Sequence, residues 1–237
     1  MRKWIEYFER PGPRNTLRTL ELIKERGNEL GIKTVIIATL RGNSALKAHE
    51  IIGKELKIIA VTIPPGAYWT VKESLHGPWS DIPELKKQLR EWQQKGLKKV
   101  RMDMTDEMQD KLEELGIKVV RGTIPFYGIG TAIAGTFKGV TFEQTMTEAL
   151  RLISGGLIVC VEVAIMAADA NVIKSQEEVV VAAGTSMGLD TAVVIKPSTS
   201  LRFFDPEEGL EIREIIAIPR VKPKYPPEGI GEEYKYT

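Results

Sequence analysis

The sequence contains one cysteine and two histidines among 237 residues, and this scarcity excludes several kinds of site. Cys160 has no partner for an intrachain disulfide, and its apolar neighbours Val159 and Val161 indicate a buried thiol rather than a nucleophile. His49 and His76 do not have the spacing of a metal cluster or a catalytic triad. We therefore predict a protein of the reducing cytoplasm with no metal site.

The sequence also lacks an excess of one charge and a long apolar run. It has 33 lysines and arginines against 32 aspartates and glutamates, a formal net charge of +1. This balance gives no electrostatic reason to expect nucleic acid or an anionic membrane surface as a partner. No segment has the continuous apolar length of a signal peptide or of a membrane span. We expect a cytoplasmic protein that binds neither nucleic acid nor membranes.

A chain of this length with 43% hydrophobic residues can bury the core of one domain, and two full domains are the alternative. Apolar strands alternate with amphipathic helices along most of it, which predicts an α/β fold with a mostly parallel sheet. We assign residues 1–220 to a single domain. Residues 221–237 contain Pro223, Pro226 and Pro227 and are predicted to form an extended tail.

The individual elements follow from apolar periodicity and from breaker residues. The first predicted helix is capped by Asn15, and the others cover residues 44–52, 83–95, 105–115, 141–153 and 156–171. The predicted strands cover residues 34–39, 56–63, 99–102, 117–120, 177–183, 191–196 and 211–218. Residues 64–83 and the glycine-rich residues 123–139 are predicted to be long loops, which are often functional.

The first candidate site is the turn TLRGNSA, which lies between a buried strand and a helix. A helix N-terminus offers unpaired amides and the positive end of the helix dipole to an anion. The turn adds a glycine, short polar side chains and one charge, from Thr39, Arg41, Gly42, Asn43 and Ser44. Phosphate binding is one interpretation. The other is structural, with Asn43 capping the helix and Gly42 forming the turn.

The second candidate site is the loop GTSMGLDTA, which also follows an apolar strand. Ligands of open α/β sheets bind beyond the carboxyl ends of the strands, so this loop and the first turn are predicted to meet at one site. Its candidate ligand-binding residues are Gly184, Thr185, Ser186, Gly188, Asp190 and Thr191. The structural alternative is a tight connection between strands, in which Asp190 holds the amides of the turn.

A third candidate is the pair of carboxylates in the apolar helix, Glu162 and Asp169. A carboxylate in such surroundings needs a partner or an altered protonation state. Catalysis is one interpretation of this pair, and an internal salt bridge or a helix end is the other.

Two segments resemble the C-terminal α/β domain of pyruvate kinase. The segment TVIIATLRGNSALKAHEIIGKELKIIAVT is similar to the opening strand–helix–strand unit of that domain. The segment EEVVVAAGTSMGLDTAVVIKP, followed by IREIIAIP, is similar to its last strands and their ligand-binding loop. Through FERPGPRNT, FKGVT and VCVEVAIMAADA, residues 8–220 also resemble a family of stand-alone prokaryotic proteins with this domain. The resemblance implies a three-layer sandwich around a mostly parallel sheet.

The resemblance also implies a ligand. In pyruvate kinase the equivalent of the first turn binds the phosphate of a sugar bisphosphate effector, and the stand-alone relatives imply flavin mononucleotide (FMN) as the ligand here. The barrel, the metal-binding carboxylates and the nucleotide-binding lysine of the kinase have no counterpart in this sequence, so we expect no pyruvate kinase activity. One departure from the relatives is Ile63, which follows Thr62 where they carry a histidine.

The function that we predict is binding of a small phosphorylated molecule, with FMN as the specific expectation. Aromatic residues in the loops are expected to cover the ring of the ligand, and the start of the first helix to border it; these residues are Tyr68, Trp69, Phe126, Asn15 and Thr16. The alternatives are a flavin-dependent oxidoreductase, another enzyme acting on a phosphorylated metabolite, or a regulatory protein that uses its tail as a contact. A homo-oligomer is compatible with each of them.

Overall fold

The structure is a computed structural model, which describes residues 4–71 and 82–222. The helices are α1 (Thr16–Leu30), α2 (Asn43–Ile52), α3 (Pro83–Gln94), α4 (Asp106–Glu114), α5 (Ile129–Phe137), α6 (Phe142–Arg151) and α7 (Gly155–Asp169). The strands are β1 (Glu6–Phe8), β2 (Thr34–Ala38), β3 (Lys57–Thr62), β4 (Tyr68–Thr70), β5 (Lys99–Arg101), β6 (Lys118–Arg121), β7 (Val179–Ala183), β8 (Thr191–Lys196) and β9 (Glu211–Pro219). None of the helices in these ranges is long and apolar enough to cross a membrane.

The main sheet contains seven strands in the order β1-β9-β8-β7-β2-β3-β6. Strands β7, β2, β3 and β6 are parallel to one another, whereas β8 runs antiparallel to both β7 and β9. The central strands β2 and β7 are almost wholly buried, because helices cover both of their faces. The predicted mostly parallel α/β sheet is confirmed.

Two hydrophobic clusters lie on opposite faces of this sheet and make it the middle of three layers. On one face Val35 and Ile37 pack with Leu20 of α1 and Ile52 of α2. On the other face Ile36, the residue between them, packs against α7. The alternation of side chains along β2 therefore supplies both clusters, and the predicted three-layer sandwich is confirmed.

Helix α7 forms most of the second cluster. Thirteen of its residues are buried, which agrees with the nearly continuous apolar sequence that predicted a buried helix. Ser154 precedes the helix, and its hydroxyl accepts a hydrogen bond from the Gly156 amide at 3.2 Å. This cap places the start of α7 at residue 155.

The predicted strand at residues 99–102 is present as β5, but it pairs with β4 in a separate antiparallel ribbon and does not extend the main sheet. Strand β4 lies inside the predicted loop at residues 64–83, so that prediction is wrong for residues 68–70. Residues 129–137 form helix α5 inside the predicted glycine-rich loop. Strand β1, at the edge of the sheet beside β9, was not predicted. The expectations for His76 and for the tail after residue 222 lie outside the described residues, as does half of the predicted loop at 64–83.

Candidate ligand-binding site

The carboxyl ends of the neighbouring parallel strands β2 and β7 open into one cavity of about 960 Å³. Four candidate residues of the first turn line it, namely Thr39, Arg41, Asn43 and Ser44. Four candidates of the second loop also line it, namely Gly184, Thr185, Ser186 and Gly188. The structure therefore brings the two loops together at the edge of the sheet where α/β proteins bind ligands.

The turn after β2 is held by Thr39. The hydroxyl of Thr39 accepts a hydrogen bond from the Gly42 amide at 3.0 Å, and Gly42 adopts a positive φ of 93°. A Cβ at Gly42 would lie within 2.9 Å of Met108 Sδ, so this residue faces α4 and does not line the cavity. These contacts favour the structural interpretation of Gly42, in which it forms the turn.

Asn43 is not the cap of α2, because it is the first helical residue and no side chain caps this helix. Asn43 and Ser44 instead line the cavity where α2 begins, at the positive end of the helix dipole. The first amides of a helix have no partner within the helix, and here the first turn of α2 borders an open cavity. This arrangement is suited to an anion.

Basic side chains stand beside this turn. The Arg41 guanidinium lies 6.0 Å from the centre of the Trp92 ring, and its Nη2 lies 3.6 Å from Met102 Sδ. Lys47, one turn into α2, also lines the cavity and pairs with Glu50 at 2.6 Å. Trp92 and Met102 thus hold Arg41 at the cavity, where it contributes positive charge.

The loop after β7 is organised around the carboxylate of Asp190, which is fully buried. It accepts hydrogen bonds from the Gly12 amide at 3.0 Å, the Thr185 amide at 3.1 Å, and the hydroxyls of Thr185 and Thr191, each at 3.0 Å. Burial raises the pKa of Asp190, and these hydrogen bonds oppose the rise. Asp190 and Thr191 do not line the cavity. Their polar atoms are used within the loop, which favours the structural alternative for both residues.

Replacement of Asp190 by alanine is expected to lower the free energy of unfolding by about 3 kcal/mol, since it leaves several buried donors without an acceptor. Urea denaturation followed by circular dichroism measures this loss. The matched control is Asp110→Ala on the exposed face of α4, which is expected to change stability by less than about 0.5 kcal/mol. A similar small change for both variants would contradict the organising role of Asp190.

Ser186, in the same loop, has a buried hydroxyl that the structure leaves unsatisfied. Within residues 4–71 and 82–222, its Oγ has no hydrogen-bond partner, and the residue lines the cavity. A buried polar atom without a partner is rare in folded proteins and costs free energy. Because Ser186 lines the cavity, its hydroxyl is a candidate hydrogen-bond donor to a ligand.

The N-terminus of α7 is a further part of the site that the sequence analysis missed. Gly155 lines the cavity, and a Cβ on this residue would lie 3.0 Å from Thr185 Cγ2, so the start of α7 packs directly on the second loop. The motif Ser-Gly-Gly before an apolar helix was the available signal, because it combines a cap with two residues that permit close approach. Two helices, α2 and α7, therefore begin at this cavity.

The remainder of the cavity is more apolar and follows one face of α7. The lining residues here are Ile158, Val159, Val163 and Met166 of α7, Trp69 of β4, and Phe126 and Tyr127 of the loop before α5. The Trp69 ring meets Trp92 edge to face, with centroids 5.8 Å apart. Of the residues expected to cover or border a ligand, Thr16 also lines the cavity, whereas Tyr68 and Asn15 do not.

Glu162 lies within this apolar wall and is only 3% exposed. In the described part of the chain, its Oε1 has no hydrogen-bond partner. Burial raises the pKa of Glu162 to about 8, against smaller opposing effects of the Phe126 amide and the Arg151 charge. Burial therefore favours the protonated form of the Glu162 carboxyl at neutral pH.

The other candidate groups lie away from the cavity. Asp169, at the end of α7, accepts a hydrogen bond from the Ser200 amide at 2.9 Å, so its role is structural. Cys160 is fully buried, and burial raises the pKa of its thiol well above the usual value. Among the described residues, no group of His, Cys, Asp and Glu side chains could hold a metal ion.

Residues 18–195 match the family model described as the α/β domain of pyruvate kinase. The match covers about three quarters of the chain and runs from α1 into β8. This chain belongs to that family, and the predicted resemblance is confirmed. Strands β1 and β9 lie outside the matched residues.

Proposed function

We propose that this protein binds a small phosphorylated molecule in the cavity between the β2 and β7 loops. The observation that carries the proposal is the buried, unsatisfied hydroxyl of Ser186, which lines the same cavity as the first turn of α2. Arg41 and Lys47 add positive charge at this end. A phosphate group supplies acceptors for all of these donors at once.

FMN is the specific ligand that we propose. Its phosphate suits the two loops, and its ring system suits the apolar part of the cavity, where Trp69 and Phe126 offer aromatic surface. A volume of about 960 Å³ is within the range of cofactor sites. Under this proposal the protein is a binding protein without pyruvate kinase activity.

The test is a visible absorbance spectrum of freshly purified protein, followed by mass spectrometry of any small molecule that heat denaturation releases. We expect flavin absorbance bands and the mass of FMN. For protein purified without ligand, titration with FMN is expected to give saturable binding at one site per chain. A colourless protein that releases another phosphate ester would reject FMN and retain the phosphate site, whereas no binding of any phosphate ester would reject both.

An enzyme is the second candidate function, and Glu162 is the observation that favours it. A protonated carboxyl on a cavity wall is able to give a proton to a bound ligand. A flavin-dependent oxidoreductase, or another enzyme acting on a phosphorylated metabolite, would use it in this way. For the oxidoreductase, anaerobic addition of NADH to the FMN complex is expected to bleach the flavin absorbance, and a spectrum that does not change would argue against NADH as its reductant.

A further inference from the structure

We propose that Glu162 donates a hydrogen bond to a neutral acceptor at the far end of the ligand, and that the site consequently selects monophosphates with an uncharged ring over bisphosphates. This inference rests on the proposed function, because it assumes that the phosphate lies at the loops. It assigns a role to Glu162, a residue of the cavity wall whose Oε1 has no hydrogen-bond partner among the described residues.

The position of Glu162 along α7 sets the length of the ligand. Gly155, at the start of the helix, packs on Thr185 of the second loop. Glu162 follows seven residues later, and a helix rises 1.5 Å per residue, so the two residues are about 10 Å apart along the axis. A ligand that contacts both the loops and Glu162 therefore needs a spacer between its phosphate and its neutral end.

The surroundings of Glu162 disfavour a second anionic group. Ile158, Val163 and Phe126 are apolar residues of the same cavity and provide no charge to balance an anion. Within residues 4–71 and 82–222, the charged residues that line the cavity besides Glu162 are Arg41, Lys47, Lys138, Glu148 and Arg151. Among these, the charge of Arg151 slightly lowers the pKa of Glu162. Arg151 also forms an ion pair with Glu148, whose Oε1 lies 3.1 Å from Arg151 Nε.

A carboxyl in this setting acts as a donor. Its proton stays on the side chain at neutral pH, because ionisation in an apolar cavity costs desolvation energy. The acceptor that fits such a donor is a carbonyl oxygen or a ring nitrogen, and a phosphate dianion at this point would meet apolar walls and the ionisable Glu162. The pocket of this chain thus differs in its charge requirement from a site for a sugar bisphosphate.

The experiment is a set of binding titrations between about pH 6.5 and about pH 9. The ligands are FMN, riboflavin and fructose bisphosphate. Riboflavin has the same ring as FMN but no phosphate. The variants are Glu162→Gln, which keeps a donor at every pH, and Glu162→Leu, which removes it. For the wild type we expect FMN affinity to fall about tenfold above the pKa of Glu162. We expect no such fall for Glu162→Gln, and an affinity about tenfold weaker than that of the wild type for Glu162→Leu at neutral pH.

Riboflavin and fructose bisphosphate test the two ends of the cavity separately. Riboflavin is expected to bind more weakly than FMN but to keep the dependence on Glu162, and fructose bisphosphate is expected to bind at least tenfold more weakly than FMN. If FMN binds with the same affinity and pH dependence in the wild type and both variants, the role of Glu162 is overturned while the proposed function stands. Tighter binding of fructose bisphosphate than of FMN overturns the selectivity, and absence of binding by every phosphate ester overturns both proposals.

Discussion

Replacing Glu162 by glutamine is expected to remove a large part of the fall in stability of this protein between about pH 5 and about pH 9. The pKa of Glu162 is raised from 4.5 to about 8 in the folded protein. Between these values the unfolded chain has released the proton while the folded protein still holds it, so the free energy of unfolding decreases as the pH rises. The decrease levels off above the folded pKa.

The size of this effect follows from the shift. A shift from 4.5 to about 8 corresponds to roughly 5 kcal/mol as an upper bound, since water entry and local relaxation reduce the cost of the buried charge. Urea denaturation at pH values near both ends of the range, on wild type and Glu162→Gln without ligand, measures it. Relative to the wild type, the variant is expected to gain several kcal/mol as the pH rises from about 5 to about 9.

The matched control for this experiment is Glu91→Gln, since Glu91 is an exposed residue of α3. Its stability is expected to follow the wild-type pH profile within about 0.5 kcal/mol. Parallel profiles for wild type and Glu162→Gln would contradict a protonated Glu162 in the folded protein. That result would also remove the physical basis of its assigned role as a hydrogen-bond donor.

Replacing Ser44 by aspartate is expected to weaken FMN binding at least 100-fold, or by roughly 3 kcal/mol. Ser44 lies in the first turn of α2 and lines the cavity, so the new carboxylate would occupy the place proposed for the phosphate and repel it. The same carboxylate at a helix N-terminus stabilises the helix by about 0.5 kcal/mol. Binding is therefore expected to be lost from a protein that folds at least as well as the wild type.

Ser44→Ala is the control for this prediction, because it removes the hydroxyl without adding charge. We expect it to weaken FMN binding by less than about tenfold. The measurements are a fluorescence titration with FMN and thermal denaturation of each variant without ligand. If Ser44→Asp binds FMN as tightly as Ser44→Ala does, the phosphate does not lie at the start of α2.

The elements at the centre of the sheet were predictable, because their apolar sequences indicate burial on both faces. Strands β2, β3, β7 and β8 are short apolar runs without polar alternation, which is the pattern of strands covered on both faces. Helix α7 is apolar at nearly every position because thirteen of its fifteen residues are buried. For these elements, burial alone determines both the composition and the structure.

The peripheral elements were less predictable, because their partners are distant in the sequence. Strand β1 has three residues and pairs with β9, about 210 residues later in the chain. The pairing of β5 with β4 rather than with the main sheet joins residues about 30 positions apart in the sequence, and no local pattern encodes it. Helix α5 contains glycine at residues 130 and 135, which lowers helix propensity and favours a loop in any local analysis.

For the candidate site, the position of the loops was predictable from the sequence, but the direction of their side chains was not. The meeting of the two loops was predictable, since β2 and β7 were read as strands of one parallel sheet. Which atoms face the cavity was not, because it depends on side-chain direction and on hydrogen bonds within each loop. Asp190 illustrates this point: a carboxylate among glycines and hydroxyls resembles a ligand group, yet its oxygens accept hydrogen bonds from Gly12, Thr185 and Thr191.

The hydrogen bond from the Gly12 amide to Asp190 also limits where this chain can be truncated. Gly12 and Thr16 precede the residues that match the family, and the Thr16 hydroxyl accepts a hydrogen bond from the Leu189 amide at 3.0 Å. Both contacts hold the loop after β7. A fragment cut at the family boundaries would keep most of the cavity lining but lose Thr16 and both of these hydrogen bonds. Truncations of this chain therefore need to retain the residues from Gly12 onward if the loop after β7 is to keep its native hydrogen bonds.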